Sequence, residues 1–456
     1  MEVAVVGAGA AGLAMTRALR VAGHKATLLE RNHKVGGTWA YGTGRSAMYQ
    51  SLRTNLPREV MGFWELPFDT KLAEEINHDT RRYCGHETVQ AYLERYAKTF
   101  DLERNLQLNT KVERCMPVLD GWNCQWDEPA TKGPRWEVKT VHEMTKEEKT
   151  HTYDALVICN GHYSEPNVPE VEGKLEFPGQ QIHSHSYREN TAFAGKKVLV
   201  VGAMASGEDI AREVAKVACE VHVAARRFQN LVWAKEHGPF GELQNIHKHP
   251  TLKELRSDSS VVFDDGSTLH AVDSIIWSTG YEVTFPFLQG CEDLGPNIVP
   301  RVVDNRVEHL YEHVFPPGSA PTLSFLGLLW KCVPFPMFEL QAAWVTSVLS
   351  GRAQLPTRNQ MLAAVKEHYA HREQEGYPKR HTHMIGDDQW QYNDMLAKYS
   401  GSMYPLPKWR ENLYRSQSHF RKTHPDDYRE TYVDNEVLAE VEAWFANGQS
   451  IFAARN

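Results

Sequence analysis

The stretch EVAVVGAGAAGLAMTRALRVAGHKATLLE, residues 2–30, decides the fold. Its first five residues are an apolar run suited to a strand buried on both faces. The run leads into Gly7-Ala8-Gly9-Ala10-Ala11-Gly12 and a helical stretch from Leu13 to Ala22. A second apolar run, Lys25 to Leu29, then ends at Glu30. Strand, glycine turn, helix and strand within about 30 residues make a dinucleotide-binding unit. Gly7 permits the tight turn, Gly9 lets a pyrophosphate approach the backbone, and Gly12 lets helix and strand pack closely. The helix start offers free N–H groups and a positive dipole end to phosphate. Glu30 stands where a carboxylate accepts hydrogen bonds from ribose hydroxyls.

The same grammar returns mid-chain. Lys196 to Val201 is a predicted strand, followed by Gly202-Ala203-Met204-Ala205-Ser206-Gly207 and a helix through Val217. Met204 replaces the second glycine. The next strand, Glu220 to Ala224, runs into Ala225-Arg226-Arg227. An NAD site places an acid there; arginines suit a 2′-phosphate, so NADPH is expected on this turn. The other reading of Arg226 and Arg227 is a pair of exposed surface arginines.

Each unit closes alike. A predicted hairpin, Trp136–Val141 with Thr150–Tyr153, precedes the buried run 155–159 and Asn160-Gly161. A second, Ser259–Phe263 with Thr268–Ala271, precedes Ser274–Trp277 and Thr279-Gly280-Tyr281. Both place a glycine at the C-terminal edge of a buried strand, where ligands of open α/β sheets sit. Proline gathers at Pro166, Pro169 and Pro286, marking linkers. The expected fold class is α/β, with two Rossmann-like dinucleotide-binding domains. An NADPH domain, 166–284, is inserted in an FAD domain made of 1–165 and 285–456.

At 456 residues the chain suits two or three domains. A net charge of -8 argues against nucleic acid. No apolar run approaches the roughly 20 residues of a bilayer span. Val441 to Asn456 is mildly amphipathic, and a strand starting at Glu2 leaves no room for a signal peptide. The expectation is a soluble cytoplasmic protein. Seven scattered cysteines never form Cys-x-x-Cys, which disfavours a disulfide framework and a disulfide reductase. Three His-x-His pairs (183/185, 247/249, 381/383) lack further ligands at suitable spacing, so no metal is expected. Residues 379–383 are expected on the solvated surface.

Further motifs carry a family resemblance. Phe177-Pro-Gly179-Gln-Gln-Ile-His183-Ser-His-Ser-Tyr187 stands between the two turns. Around it are Val35-Gly36-Gly37-Thr38-Trp39, Thr54-Asn55-Leu56-Pro57, Ser206-Gly207-Glu208-Asp209-Ile210 and Thr279-Gly280-Tyr281. Over nearly its whole length the chain resembles class B flavin-containing monooxygenases, nearest the soluble S- and N-oxygenating enzymes. Trp277-Ser278 departs from the more usual Phe-Ala, with an effect expected on packing only. Baeyer–Villiger enzymes share the fold, but their pattern ends in Trp, usually followed by proline. Tyr187-Arg188 here favours heteroatom oxygenation.

The resemblance implies FAD on the first turn, reduced by NADPH, and dioxygen captured as a C4a-hydroperoxide. The distal oxygen of that adduct then passes to a small-molecule sulfide or amine. Such chemistry needs water exclusion and a hydrogen-bonding frame rather than a strong acid or base. Asn55, whose neutral amide both donates and accepts, is the expected frame; the alternative is a turn before proline. Gly36, Gly37, Thr38 and Trp39 are expected along the flavin edge, Trp39 equally as core. A helix from Met337 to Leu349 would aim its N-terminus at the flavin pyrimidine, with Glu339 and Gln341 on its first stretch and Gln341 reaching the ring. Gly202, Ser206, Gly207, Arg226, Thr279 and Gly280 make up the NADPH side. Trp330, Phe335, Phe338, Trp344, Trp390, Tyr392, Tyr404 and Trp409 form either an apolar entrance or core. His183 couples the domains, is catalytic, or is a buried hydrogen-bonded histidine. The alternatives are an NADPH oxidase releasing hydrogen peroxide, Baeyer–Villiger oxygenation of a ketone, and a redox-responsive NADPH-binding protein. A homodimer is an open expectation.

Overall fold

The computed structural model describes residues 1–446 apart from 78, 123, 229, 292, 293, 296, 297, 402 and 404. Tyr404 and the end of the amphipathic C-terminal stretch therefore lie outside the described residues.

Two five-stranded sheets organise the chain. The first has the order Leu323–Phe325, Ala155–Ile158, Glu2–Val6, Lys25–Leu29, Leu106–Gln107, all parallel. The second has the order Ile246–His249, Glu220–Ala224, Lys197–Val201, Ser274–Trp277, Gln180–His183, again all parallel. In each, the strand feeding a glycine turn is central. One neighbour leads into Glu30 or toward Arg226, the other into Gly161 or Gly280. Val6 aligns with Leu29 and Ile158, and Val201 with Ala224 and Trp277, so the functional ends lie side by side. The second sheet draws only on residues between the fourth and fifth strands of the first in chain order, which is the inserted two-domain α/β architecture.

Both predicted hairpins form and each gains a third strand. Thr110–Val118 joins Arg135–His142 and Glu148–Tyr153, and Leu252–Leu255 joins Val261–Phe263 and Thr268–Leu269. The two segments that cross between the sheets ride together. Glu165–Pro166 pairs antiparallel with Tyr281–Glu282; a ribbon of two edge strands tolerates the proline, which donates nothing.

The helix Pro334–Leu349 packs on the helix Ala10–Val21 and on Gln389–Ser400. It begins three residues before the predicted Met337, because Pro334 and Pro336 occupy first-turn positions whose N–H groups would be unpaired anyway. Of the two readings of the late aromatic cluster, core holds for Phe335, Trp344, Trp390, Tyr392 and Trp409, which are buried around this helix. One expectation is corrected. His383 is buried rather than surface, and its Nε2 accepts from Val307 N–H at 3.0 Å. Among the described residues no helix is long and apolar enough to cross a membrane.

Candidate functional site

The two glycine turns obey the same steric rule. Gly7 has φ +100°, and an added Cβ would fall 2.6 Å from Cys159 O; at Gly12 it would fall 1.8 Å from Gly7 O. Gly202 has φ +108°, with Ser278 O at 2.3 Å from such an atom, and Gly207 would meet Gly202 O at 1.9 Å. The middle position is different. A Cβ on Gly9 meets nothing in the chain nearer than 3.5 Å. Gly9 (φ -75°, ψ -173°) and Met204 (φ -93°, ψ -174°) share one extended conformation. The backbone therefore does not demand glycine there, and Met204 turns its side chain outward, 44% exposed.

The first turn is cradled as a pyrophosphate site requires. No side chain caps the helix that starts at Ala10. Gly36 N–H donates to Ala8 O at 2.9 Å, and a Cβ on Gly37 would lie 3.0 Å from Gly9 Cα, so residues 35–39 press against the turn. Thr38 and Trp39, half-buried, follow in a short 3-10 turn whose Thr38 O accepts from Ser46 Oγ. Glu30 is buried, with Oε2 accepting from Ala8 N–H and Oε1 from Asn32 N–H, both at 2.8 Å. Each oxygen keeps a second lone pair for a ribose hydroxyl.

Asn55 is exposed, and its amide makes no hydrogen bond among the described residues. Its backbone is fixed by its neighbour: Thr54 N–H donates to Cys84 O at 2.9 Å, and Thr54 O accepts from Arg429 Nε at 3.0 Å. Gln341 differs from expectation. It is buried, Oε1 accepts from Gly327 N–H at 3.2 Å, and Nε2 bonds the Tyr392 hydroxyl at 3.0 Å. Its amide thus anchors the end of strand 323–325 instead of standing free. Glu339 is also turned inward, accepting from Trp64 N–H at 2.5 Å and Glu65 N–H at 3.3 Å.

On the second sheet, Ser206 is exposed in the first turn of the helix Ala205–Ala215. Arg226 and Arg227 are exposed just past strand 220–224, with no ion pair among the described residues. Thr279 and Gly280 tie the crossing segments: Thr279 Oγ1 donates to Asn167 O, and Asn167 N–H to Gly280 O at 2.9 Å.

The Phe177–Tyr187 segment becomes intelligible as an element. Residues 180–183 are the edge strand of the second sheet. A Cβ on Gly179 would collide with the Phe177 ring and with Asp273 O. His183 Nδ1 accepts from His185 N–H at 3.0 Å, and its ring meets Tyr281 edge-on at 5.2 Å. Burial pulls its pKa down to about 4, so it is neutral. Tyr187 packs edge-on against Tyr49. Arg188 then donates to the carbonyls of Ser46, Met48, His185 and Tyr187 at 3.0, 3.3, 2.7 and 2.8 Å. The segment therefore staples the second sheet to residues 46–48, and Ser46 reaches Thr38. Trp277 and Ser278 act in packing: Trp277 is buried, and Ser278 lies against Gly202 and Gly207.

Two parallel sheets, each centred on a strand that feeds a glycine turn and a helix, with no Cys-x-x-Cys in the sequence, have the architecture of a two-dinucleotide flavoprotein. A family model described as flavin-binding monooxygenase-like matches residues 1–237 and 243–409, and the chain belongs to that family. Flavin-containing monooxygenase FMO GS-OX-like 2 of Arabidopsis thaliana is 40% identical, covering 96% of this chain and 93% of that protein. Among solved structures, S-allyl-L-cysteine S-oxygenase from Allium sativum is 40% identical with a TM-score of 0.86, covering 98% of both chains. Tmm from Pelagibacter sp. strain HTCC7211 is 25% identical with a TM-score of 0.78, covering 96% and 94%. The chain is an NADPH- and O2-dependent flavin monooxygenase that uses FAD and oxygenates a nucleophilic heteroatom of a small molecule.

Proposed function

We propose that the oxygenated atom is the sulfur of a small thioether, of the S-alkyl or S-allyl cysteine kind. The observation that carries this is the 40% identity, over 98% of both chains, to an S-allyl-L-cysteine S-oxygenase. When bound, the flavin with NADPH and dioxygen supplies one electrophilic oxygen atom and releases the other as water. The chain supplies the setting. The Gly7–Gly12 turn and the uncapped helix start hold the FAD pyrophosphate, Glu30 accepts from the ribose, and Gly37, Thr38 and Trp39 border the ring. Gly202, Ser206 and Gly207 receive the NADPH pyrophosphate, and Arg226 receives the 2′-phosphate. Thr279 and Gly280 border the nicotinamide side. Gln341 supports the FAD side through Gly327. Asn55 donates and accepts at the reacting edge without adding charge, and the thioether lone pair is itself the nucleophile, so no general base is required. The domain limits 1–165, 166–284 and 285–456, a homodimer and a cytoplasmic location belong to the same proposal. Light scattering and cell fractionation test the last two.

Supplied with NADPH and oxygen, the protein is expected to convert S-allyl-L-cysteine to its sulfoxide in proportion to NADPH consumed. N-oxide formation from trimethylamine without sulfoxide would overturn the thioether reading. Peroxide equal to NADPH with every substrate would make the protein an oxidase. Asn55→Ala is expected to divert NADPH to peroxide. Arg226→Ala is expected to raise KM for NADPH by about tenfold, the loss of ~1.4 kcal/mol, while KM for NADH holds.

A further inference from the structure

One guanidinium joins three stretches of chain that are far apart in sequence. Arg429 lies on the short helix Tyr428–Thr431. Its Nη1 and Nη2 donate to Asp209 Oδ1 and Oδ2 at 3.1 and 2.7 Å, a two-pronged pair. Asp209 is on the helix that opens at the second glycine turn. Nε donates to Thr54 O at 3.0 Å and Nη2 to Arg53 O at 3.4 Å, the carbonyls just before Asn55. Tyr49 hydroxyl adds a bond to Asp209 Oδ2 at 3.1 Å. Flanking pairs hold the same segment: Asp426 with Arg212 Nε at 2.6 Å, and Glu430 with Arg53. The Arg429 and Asp209 side chains are only 17% and 20% exposed. Burial alone would raise Asp209; Arg429 overrides it and holds the carboxyl below its usual value. Lysine could not reproduce this, having one point charge where arginine has a planar fork of five donors.

We infer that Arg429 is a positioning residue for oxygen transfer, locking the backbone under Asn55 to the helix of the NADPH turn. The Asn55 amide makes no hydrogen bond among the described residues, so its placement follows from that backbone. The lock keeps the amide at a fixed distance from the cofactor-holding turn of the opposite sheet while substrate enters.

The inference rests on the role proposed for Asn55, and the experiment separates the two. In FAD-loaded protein, Arg429→Gln is expected to speed amide exchange of residues 50–57 by at least about tenfold, a loosening of ~1.4 kcal/mol, with FAD occupancy retained. The peroxide released per NADPH is expected to rise about fivefold, while KM for NADPH changes less than about threefold. Arg429→Lys is expected to be intermediate. Adding Arg429→Gln to Asn55→Ala is expected to release no more peroxide than Asn55→Ala alone, since both act through one amide. Unchanged exchange, or an additive rise in the double variant, overturns the lock. If Asn55→Ala itself leaves peroxide unchanged, the Asn55 reading fails, and the exchange measurement still decides the lock. Should Arg429→Gln lose FAD, Asp209→Asn carries the same test, because it keeps shape while removing the charge and one of the two acceptor oxygens of the pair.

Discussion

At Gly12 and Gly207 the chain admits no β-carbon, whereas at Gly9 it does, and this separates two kinds of glycine in one motif. An alanine at position 12 would drive a methyl group to 1.8 Å from Gly7 O, which the helix can relieve only by lifting from the strand. Overpacking of that order costs about 1–3 kcal/mol or more. Gly12→Ala is therefore expected to melt at lower temperature even when stripped of FAD. Gly9→Ala has no chain atom nearer than 3.5 Å to its methyl group and should fold normally. On the proposed pyrophosphate site its methyl would stand in the ligand's approach, so its FAD affinity is expected to fall instead. Thermal melting of the stripped proteins and FAD titration check this; equal destabilisation of both would contradict it. Met204, in the Gly9 conformation with its side chain outward, is the chain's own example of the tolerated case.

At the scale of elements, legibility followed burial. Strands 2–6, 155–158, 197–201 and 274–277 were readable because strands covered on both faces are written as unbroken apolar runs. The strands at 180–183 (QQIH), 246–249 (IHKH) and 252–255 (LKEL) were not, since edges half open to water carry polar residues and owe their pairing to distant partners. The Phe177–Tyr187 motif was thus visible as letters but not as a strand. Its mechanical role came only with Arg188, whose bonds to the Ser46 and Met48 carbonyls cross from one sheet to the loop of the other. Arg188→Ala removes charge-assisted bonds and leaves those carbonyls to water where water can reach them. A loss of about 1–3 kcal/mol is expected, seen as a lower denaturant midpoint with an unchanged m-value. An unchanged midpoint would show that residues 46–48 are held by other contacts.

For the molecule as a whole, the insertion of one dinucleotide domain in the other was legible from the repeated turn and the proline-marked linkers. The contacts between the two were not, because ion pairs such as Arg429–Asp209 join residues 220 positions apart and leave no local pattern. The histidines show a second global property that spacing could not reveal. His222 Nδ1 lies 2.8 Å from His249 Nε2 across adjacent strands, and His249 stacks on Phe263 at 4.2 Å. Burial holds His162, His183, His222 and His249 at about 4 and His383 at about 3. In the unfolded chain histidine titrates near ~6.5. Between about 4 and 6.5 the unfolded state therefore binds more protons than the folded one, and stability falls as pH falls through that window. Glu339 works in the opposite sense. Burial raises it to about 8, so the folded state carries its proton above the unfolded value, and that contribution to stability is present at low pH and lost as pH rises toward 8. Five histidines outweigh one carboxyl. The melting temperature of the FAD-stripped protein is thus expected to fall steeply from pH 6.5 to pH 4, and a flat or rising profile there would contradict the burial of these neutral histidines.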